Sequence, residues 1–245
     1  MFLFGKWFRL RRRRKRAARL GFEFKRASGF QPPRQIDVQG RPLTLSFPDE
    51  VGTTNDFLSI FLDDDYRLER QRWPVSTVLD IGANLGFFSI AARNAFPEAK
   101  IHAYEPNQTL QEYLIPHAEQ ASFDINYEAV GLDEGRVTLD VRGETNQTRS
   151  QLDESGDVPQ VAFRKAVDRL GGRVDFAKID CEGAEWEFLE DTDTWKKVHF
   201  LAMEYHLWPG NKYHHDAQDA LRKLGFQILH QIPIDDYGLI YAMRL

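Results

Sequence analysis

From residue 77 to the carboxyl end, short apolar runs alternate with amphipathic stretches. The runs are TVLDIG (77–82), KIHAYEP (100–106), INYEAV (125–130), DFAKIDC (175–181), HFLAMEY (199–205), FQILHQI (226–232) and GLIYAMRL (238–245). Helical patterns separate most of them, over 86–96, 108–119, 184–190 and 214–224. Strands that are apolar along their whole length are covered on both faces, so the alternation predicts a mostly parallel sheet with helices on either side. The last two runs are joined only by PIDDY, too short for a parallel crossover, and should form an antiparallel hairpin. Residues 135–167 lack a helix signal and read as a β-ribbon, GRVTLDV and PQVAFRKAV, around a polar loop. Upstream, residues 31–50 read as a short hairpin about Gln39-Gly40. Residues 55–69 read as a helix with Phe57, Leu58, Ile60, Phe61 and Leu62 on one broad face.

Composition changes this picture in two places. A chain of 245 residues with 42% hydrophobic and 13% aromatic content suits one sizeable α/β domain with a short appendage. The single cysteine, Cys181, excludes an intramolecular disulfide and a cysteine-based zinc site, and fits a reducing, cytoplasmic setting. The net charge of −5 is unevenly spread: residues 1–26 carry +10, which leaves −15 on the remainder. That sign disfavours a nucleic-acid partner for the body of the protein. The arm opens MFLFGKWFRL, with Phe2, Leu3, Phe4, Trp7, Phe8 and Leu10 ahead of the arginines, the reverse of a secretory signal. Its apolar run is about half the ~20 residues of a spanning helix. A basic, aromatic helix lying on anionic lipid is the functional expectation, on the inner face of the membrane. A solvated tail and a nucleic-acid contact are the alternatives. The division expected is 1–30 for this segment, 31–76 for a lead-in hairpin and helix, and 77–245 for the catalytic domain.

In open α/β sheets ligands sit beyond the carboxyl ends of the strands, where the strand order reverses. The first strand ends in Asp80, Gly82, Ala83, Asn84 and Gly86. A dinucleotide fingerprint needs Gly-x-Gly-x-x-Gly, and Asn84 and Phe87 occupy its second and third glycine positions. What remains suits a ligand that approaches closely without a pyrophosphate. The second strand ends YEPN. Glu105 follows Gly82 by 23 residues, near the ~20 expected of an acid that accepts two ribose hydroxyls. Pro106 then turns the chain away. The fourth strand ends KIDCEGAE, where Asp180 and Glu182 share a face while the chain stays extended. Helix capping by either acid is the plainer alternative. The fifth ends MEYH, where Glu204 and His206 share a face by the same period and His206 has the pKa of a neutral-pH base.

VLDIGANLGFFSI, YEPN, KIDCEGAE and MEYH, in this order and spacing, resemble the FkbM-type methyltransferases, from about Gly52 to the carboxyl end and excluding the basic arm. The fold implied is α/β, a Rossmann-like seven-stranded methyltransferase sheet, mostly parallel with a C-terminal antiparallel hairpin and helices on both faces. The resemblance implies transfer of a methyl group from S-adenosylmethionine to a hydroxyl of a sugar, glycan or natural product. Gly82, Ala83, Asn84 and Gly86 would flank the methionine part of the cofactor, with Glu105 on the ribose and Asn107 near the adenine. Asp80, Pro106, Val130 and Asp180 complete the expected cofactor set. His206 is the expected base, oriented or assisted by Glu204 or Glu182, with Asp180 positioning cofactor or acceptor; no metal is assigned. Methylation of nitrogen on another acceptor, and a membrane-attached cofactor-binding module without turnover, are the rival readings.

Overall fold

The computed structural model describes residues 2–141, 143, 145, 148–208 and 210–244. The side chains of Phe2, Leu3 and Phe4, which the arm's expected lipid contact includes, lie outside the described residues, as do Arg142, Glu144, Asn146 and Gln147 of the polar loop. The chain opens with helix α1 (Phe2–Arg19) and the antiparallel hairpin β1 (Gln35–Val38) and β2 (Arg41–Thr44). The hairpin turns on Gln39 and Gly40, both at positive φ, as a two-residue hairpin turn requires. Helix α2 (Val51–Phe57) runs on into a wider helical turn over 58–63, and a single 3₁₀ turn follows at 68–70.

The sheet domain then alternates β3 (Thr77–Ile81), α3 (Phe87–Ala95), β4 (Lys100–Tyr104), α4 (Gln111–Ala121) and β5 (Asp124–Asn126). Four short elements form a side sheet: β6 (Ala129–Gly131), β7 (Gly135–Val141), β8 (Thr148–Leu152) and β9 (Val158–Ala162). The main sheet resumes with α5 (Phe163–Arg169), β10 (Val174–Ile179), α6 (Glu185–Phe188), α7 (Thr192–Trp195), β11 (Val198–His206), α8 (His214–Lys223), β12 (Gln227–Ile234) and β13 (Tyr237–Met243). Its spatial order is β12-β13-β11-β10-β3-β4-β5, parallel except for β13, which runs antiparallel to both its neighbours. The order reverses between β3 and β10, so the ligand crevice is expected beyond the ends of those two strands.

Two sequence expectations need correction here. The run at 125–130 is two strands in different sheets, and the segment read as a simple ribbon supplies three strands of a four-stranded sheet completed by β6, with β8 occupying part of the polar loop. The ribbon's last run also continues into α5, where no helix was expected. Phe163, Ala166 and Val167 bury one face of that helix, with Phe163 4.8 Å from Trp195, but seven residues are too few for the period to register in sequence.

Apolar side chains fill both faces of the main sheet. On one face, Ala17, Leu20 and Phe24 of the arm, Ile36 and Leu43 of the hairpin and Phe57 and Phe61 join Val78, Phe88 and Phe176 in a single cluster. The other face buries Phe163, Phe188, Trp195 and Leu221. The arm therefore packs on the same core as the sheet. Its inner arginines are also spoken for. Arg9 and Arg13 both bind Asp63, whose side chain is 5% exposed. Arg16 reaches Asp64 (3.1 Å), Glu69 (2.9 Å) and the Leu62 carbonyl (3.0 Å). Two long-range hydrogen bonds fix the next stretch: Tyr66 donates to Asp180 (3.0 Å), and the Tyr241 hydroxyl donates to the Asp65 carbonyl.

Burial works against the Asp63 carboxylate, but hydrogen bonds from Arg13 and Arg9 outweigh it and hold its pKa below the usual value. A depressed carboxyl pKa contributes stability above the unfolded-state value, and that stability is lost as pH falls. Asp63→Asn strands the buried Arg13 guanidinium and should lower unfolding free energy by about 3 kcal/mol. In urea titrations the substitution should also flatten the acid side of the stability curve. A wild-type-like midpoint in the variant would show that the clamp is not stabilising.

Candidate active site

The loop after β3 is built by close packing and internal hydrogen bonding. Gly82 has φ of 76°, and a Cβ there would lie 1.7 Å from the Asp180 carbonyl oxygen. Its missing side chain thus admits the end of β10, in addition to leaving the loop open to the crevice. Gly86, also left-handed, makes room for Leu114 and Phe123 and lies behind the crevice. The loop amides are largely engaged already: Gly82 and Ala83 N–H donate to Tyr104 O, Asn84 N–H to Glu105 and Gly86 N–H to Ala83 O. Few donors remain to cradle a pyrophosphate. Asn84 Oδ1, by contrast, is buried without a partner among the described residues.

Beyond these strand ends the crevice holds about 1070 Å³ not filled by protein atoms. Gly82, Ala83, Asn84, Glu105, Pro106 and Val130 line it together with Asp180, Glu182 and Glu204. The lead-in supplies a roof through Asp56, Ser59, Ile60 and Tyr66. Among the described residues, six carboxylates (Asp56, Glu105, Glu128, Asp180, Glu182, Glu204) line the space against one cation, Lys178. Such a lining favours a cationic ligand over a phosphate-bearing one.

Glu105 lines the crevice beside Asn84. Its Oε2 accepts the Asn84 N–H (2.7 Å) and its Oε1 the Asn107 N–H (2.8 Å), so each oxygen keeps a lone pair for a ribose hydroxyl. Burial raises its pKa to about 7, despite those two hydrogen bonds. The donor set and the unpartnered Asn84 oxygen fit S-adenosylmethionine, with the crevice acids matching its positive charge.

Asp180 ends β10. Its Oδ2 accepts from Tyr66 and lies 3.8 Å from Lys178. Glu182 is held at a left-handed φ of 51°, a conformation costing of order 1 kcal/mol or more for a non-glycine residue. Burial and then Asp180 raise the Glu204 carboxyl well above its usual value. His206 lies just behind these acids, 9% exposed at its side chain, stacked on Tyr237 and outside the crevice lining. Its Nδ1 faces Glu185 (3.3 Å), and its Nε2 is 3.7 Å from Glu182 and 3.6 Å from Glu204. Burial opposes the imidazolium, but Glu185, Asp180 and Glu182 prevail and raise it to about 9.

Four expected site residues therefore stand elsewhere than the sequence reading put them. Asp80 is fully buried, bonded to Ser89 (2.7 Å) and paired with Lys178 (3.4 Å), beneath the loop. Asn107 caps its own turn through Thr109 (3.1 Å) and reaches Thr148 (3.3 Å). Gly86 and His206 form support behind the crevice. Three contributors went unnoticed. Lys178 was visible as a lone cation in an apolar strand, and Glu185 as the second acid of CEGAE. Tyr66 carried no signal, because its role depends on the packing of the lead-in.

The sheet order and the strand-end crevice define an S-adenosylmethionine-dependent methyltransferase. Residues 80–228 match the family described as Methyltransferase FkbM domain, and the chain belongs to that family. It is 25% identical over 211 residues to Methyltransferase sdnD of Sordaria araneosa, covering 68% of this chain and 81% of that protein. To Methyltransferase 1 of Beauveria bassiana (strain ARSEF 2860) it is 26% identical over 160 residues, 53% of this chain and 64% of that protein. Among solved structures, a precorrin-6y C5,15-methyltransferase from Geobacter metallireducens GS-15 superposes with a TM-score of 0.49 at 12% identity. The match covers 82% of this chain and 94% of that one. Aeropyrum pernix fibrillarin with bound S-adenosyl-L-methionine gives 0.46 at 13% identity, covering 74% and 73%.

A carboxyl raised to about 7 is protonated in the free enzyme on the acid side and ionised above it. Ribose hydroxyls donate best to the ionised form. Affinity for S-adenosylhomocysteine, measured by calorimetry, should therefore rise between pH 6 and 8. Glu105→Gln should bind at least tenfold more weakly at pH 8 and lose most of that dependence. A wild-type pH profile in the variant would remove Glu105 from the cofactor site.

Proposed function

We propose that the enzyme methylates a hydroxyl group of a sugar, glycan or natural-product acceptor, with Glu204 as proton acceptor. One observation carries the reading: a single crevice is lined both by Glu105 and Asn84 and by the carboxylates of Glu182 and Glu204. S-adenosylmethionine brings a methyl group already activated on a sulfonium. The protein has to align the acceptor oxygen and exclude water, and the roof formed by Ile60 and Tyr66 serves that end. As the oxygen gains the methyl group, its proton passes to Glu204, whose side chain lines the crevice. His206, set behind the lining and turned toward Glu185, is assigned a positioning role instead of the base expected from sequence. Glu204→Gln should lower turnover about 10²–10⁴-fold while cofactor affinity changes little. An undiminished rate at saturating acceptor would exclude Glu204. The acceptor class is tested with labelled cofactor against a panel of glycans and lipid-linked sugars, and exclusive labelling of nitrogen would overturn it.

A second proposal concerns α1. Its inner face is clamped to the body, while Lys6, Arg11, Arg12, Arg14 and Lys15 are exposed beside Trp7 and Phe8, each 55% exposed. Among the described residues no helix is long and apolar enough to cross a membrane. Cations worth ~1 kcal/mol each near an anionic surface, with two inserting aromatics, support peripheral attachment of a cytoplasmic enzyme to the inner face of the membrane. Deleting residues 1–26 is a poor test, because Arg13 and Arg16 hold the segment that roofs the crevice. Trp7→Ala with Phe8→Ala should leave vesicle binding that vanishes at 0.5 M salt, roughly three times the ionic strength at which screening reaches 8 Å. The wild type should retain part of its binding there. Failure of the wild type to bind phosphatidylglycerol vesicles at low salt would exclude the attachment.

A further inference from the structure

Asp180 and Glu182 of the crevice lining and His206, buried just behind them, each offer one ligand atom, all within 4.8 Å of one another. Ion pairing draws the His206 ring toward Glu182 and Glu204, but hydrogen bonds leave ligand atoms of all three groups unused. Among the described residues Glu182 accepts no hydrogen bond, and Asp180 uses only Oδ2, toward Tyr66. His206, more than nine-tenths buried, makes no hydrogen bond through Nε2, whose neighbours Glu204 and Glu182 stand at 3.6 and 3.7 Å. Its other nitrogen is held by Glu185, which is fully buried and fixed in turn by the N–H groups of Gly183 (2.8 Å) and His206 (2.6 Å). A carboxylate that anchors one imidazole nitrogen while the other faces a group of oxygens is the outer shell of a metal-bound histidine.

We propose that Asp180, Glu182 and His206 form a binding site for one divalent cation of the Mn²⁺ type. Two carboxylates and an imidazole suit that ion, and Mg²⁺ or Ca²⁺ less well because of the nitrogen ligand. Ligand atoms around such an ion lie about 3 Å apart when adjacent and about 4.3 Å when opposite. Starting from separations of at most 4.8 Å, the three side chains need to close by up to roughly 1.8 Å, within the reach of rotamer adjustment. The cation offsets the excess of acids in the crevice and sits where an acceptor hydroxyl must approach Glu204. There it would lower the acidity barrier of that hydroxyl. This part rests on the hydroxyl-methylation reading above; the cation site itself does not.

The test uses the full chain, stripped with chelator and titrated with Mn²⁺ without cofactor. Loss of the free-ion electron paramagnetic resonance signal should report one bound ion per chain. Spin-echo modulation should show coupling to an imidazole ¹⁴N, absent in His206→Gln. Glu182→Gln and Asp180→Asn should each weaken binding at least tenfold, with circular dichroism confirming the fold. No binding above buffer, or binding without nitrogen coupling in the wild type, overturns the site. Turnover after chelation is a separate readout: full activity in stripped enzyme refutes a catalytic use, whereas a bound ion with no methylated hydroxyl refutes only the acceptor reading.

Discussion

The buried ammonium of Lys178 holds together the place where the sheet changes direction. Only 3% exposed, it donates to the Gly82 carbonyl (2.5 Å) and sits between Asp80 (3.4 Å) and Asp180 (3.8 Å). Burial disfavours its charge, but Asp80 and then Asp180 more than restore it. β3 and β10 stay paired to their last residues here, Ile81 beside Ile179, and one cation shared between them ties their ends together. Everything that lines the crevice is measured from those two ends. The loop approaches so closely that a side chain at Gly82 would strike the Asp180 carbonyl. A charge that is costly when alone becomes structural when three acceptors converge on it.

Much of this architecture was legible in the chain. Continuous apolar runs separated by helical stretches gave the parallel sheet, and the shortness of PIDDY gave its antiparallel edge, because both are local constraints with few solutions. The crevice acids were legible because strand periodicity places Asp180 beside Glu182 and Glu204 beside His206. Illegible were the features that arise when distant elements meet. Asp80 looked like a ligand but lies beneath the loop, since its partner Lys178 comes from a strand 98 residues further on. His206 looked like a base until Glu185 and three other acids surrounded it. Two strands of the side sheet were legible as a ribbon, but β8 escaped because it is short and half-exposed with one apolar residue, and β6 because it has only three residues.

The lead-in is where the arm and the crevice communicate. The wide turn over 58–63 has the arginine clamp on its outer side and Ser59 and Ile60 over the crevice on its inner side. Phe57, Phe61 and Phe87 pack between them, Phe57 edge to face with Phe87 and the other pairs tilted, with centroids 4.8–6.1 Å apart. A force applied to α1 therefore reaches the roof through a stiff aromatic layer, with no flexible linker between them.

The Tyr241–Asp65 and Tyr66–Asp180 hydrogen bonds set an order of assembly during synthesis. The pairs that clamp α1 span at most 54 residues and can form as soon as the lead-in has left the ribosome. Tyr66 waits for a partner 114 residues later, and Asp65 for one 176 residues away. At about 5–20 residues per second, roughly 10–35 s separate the two events. A newly made chain thus carries its basic helix already folded long before it has a closed crevice. Whatever α1 meets in that interval, it meets as part of a protein that cannot yet enclose a substrate.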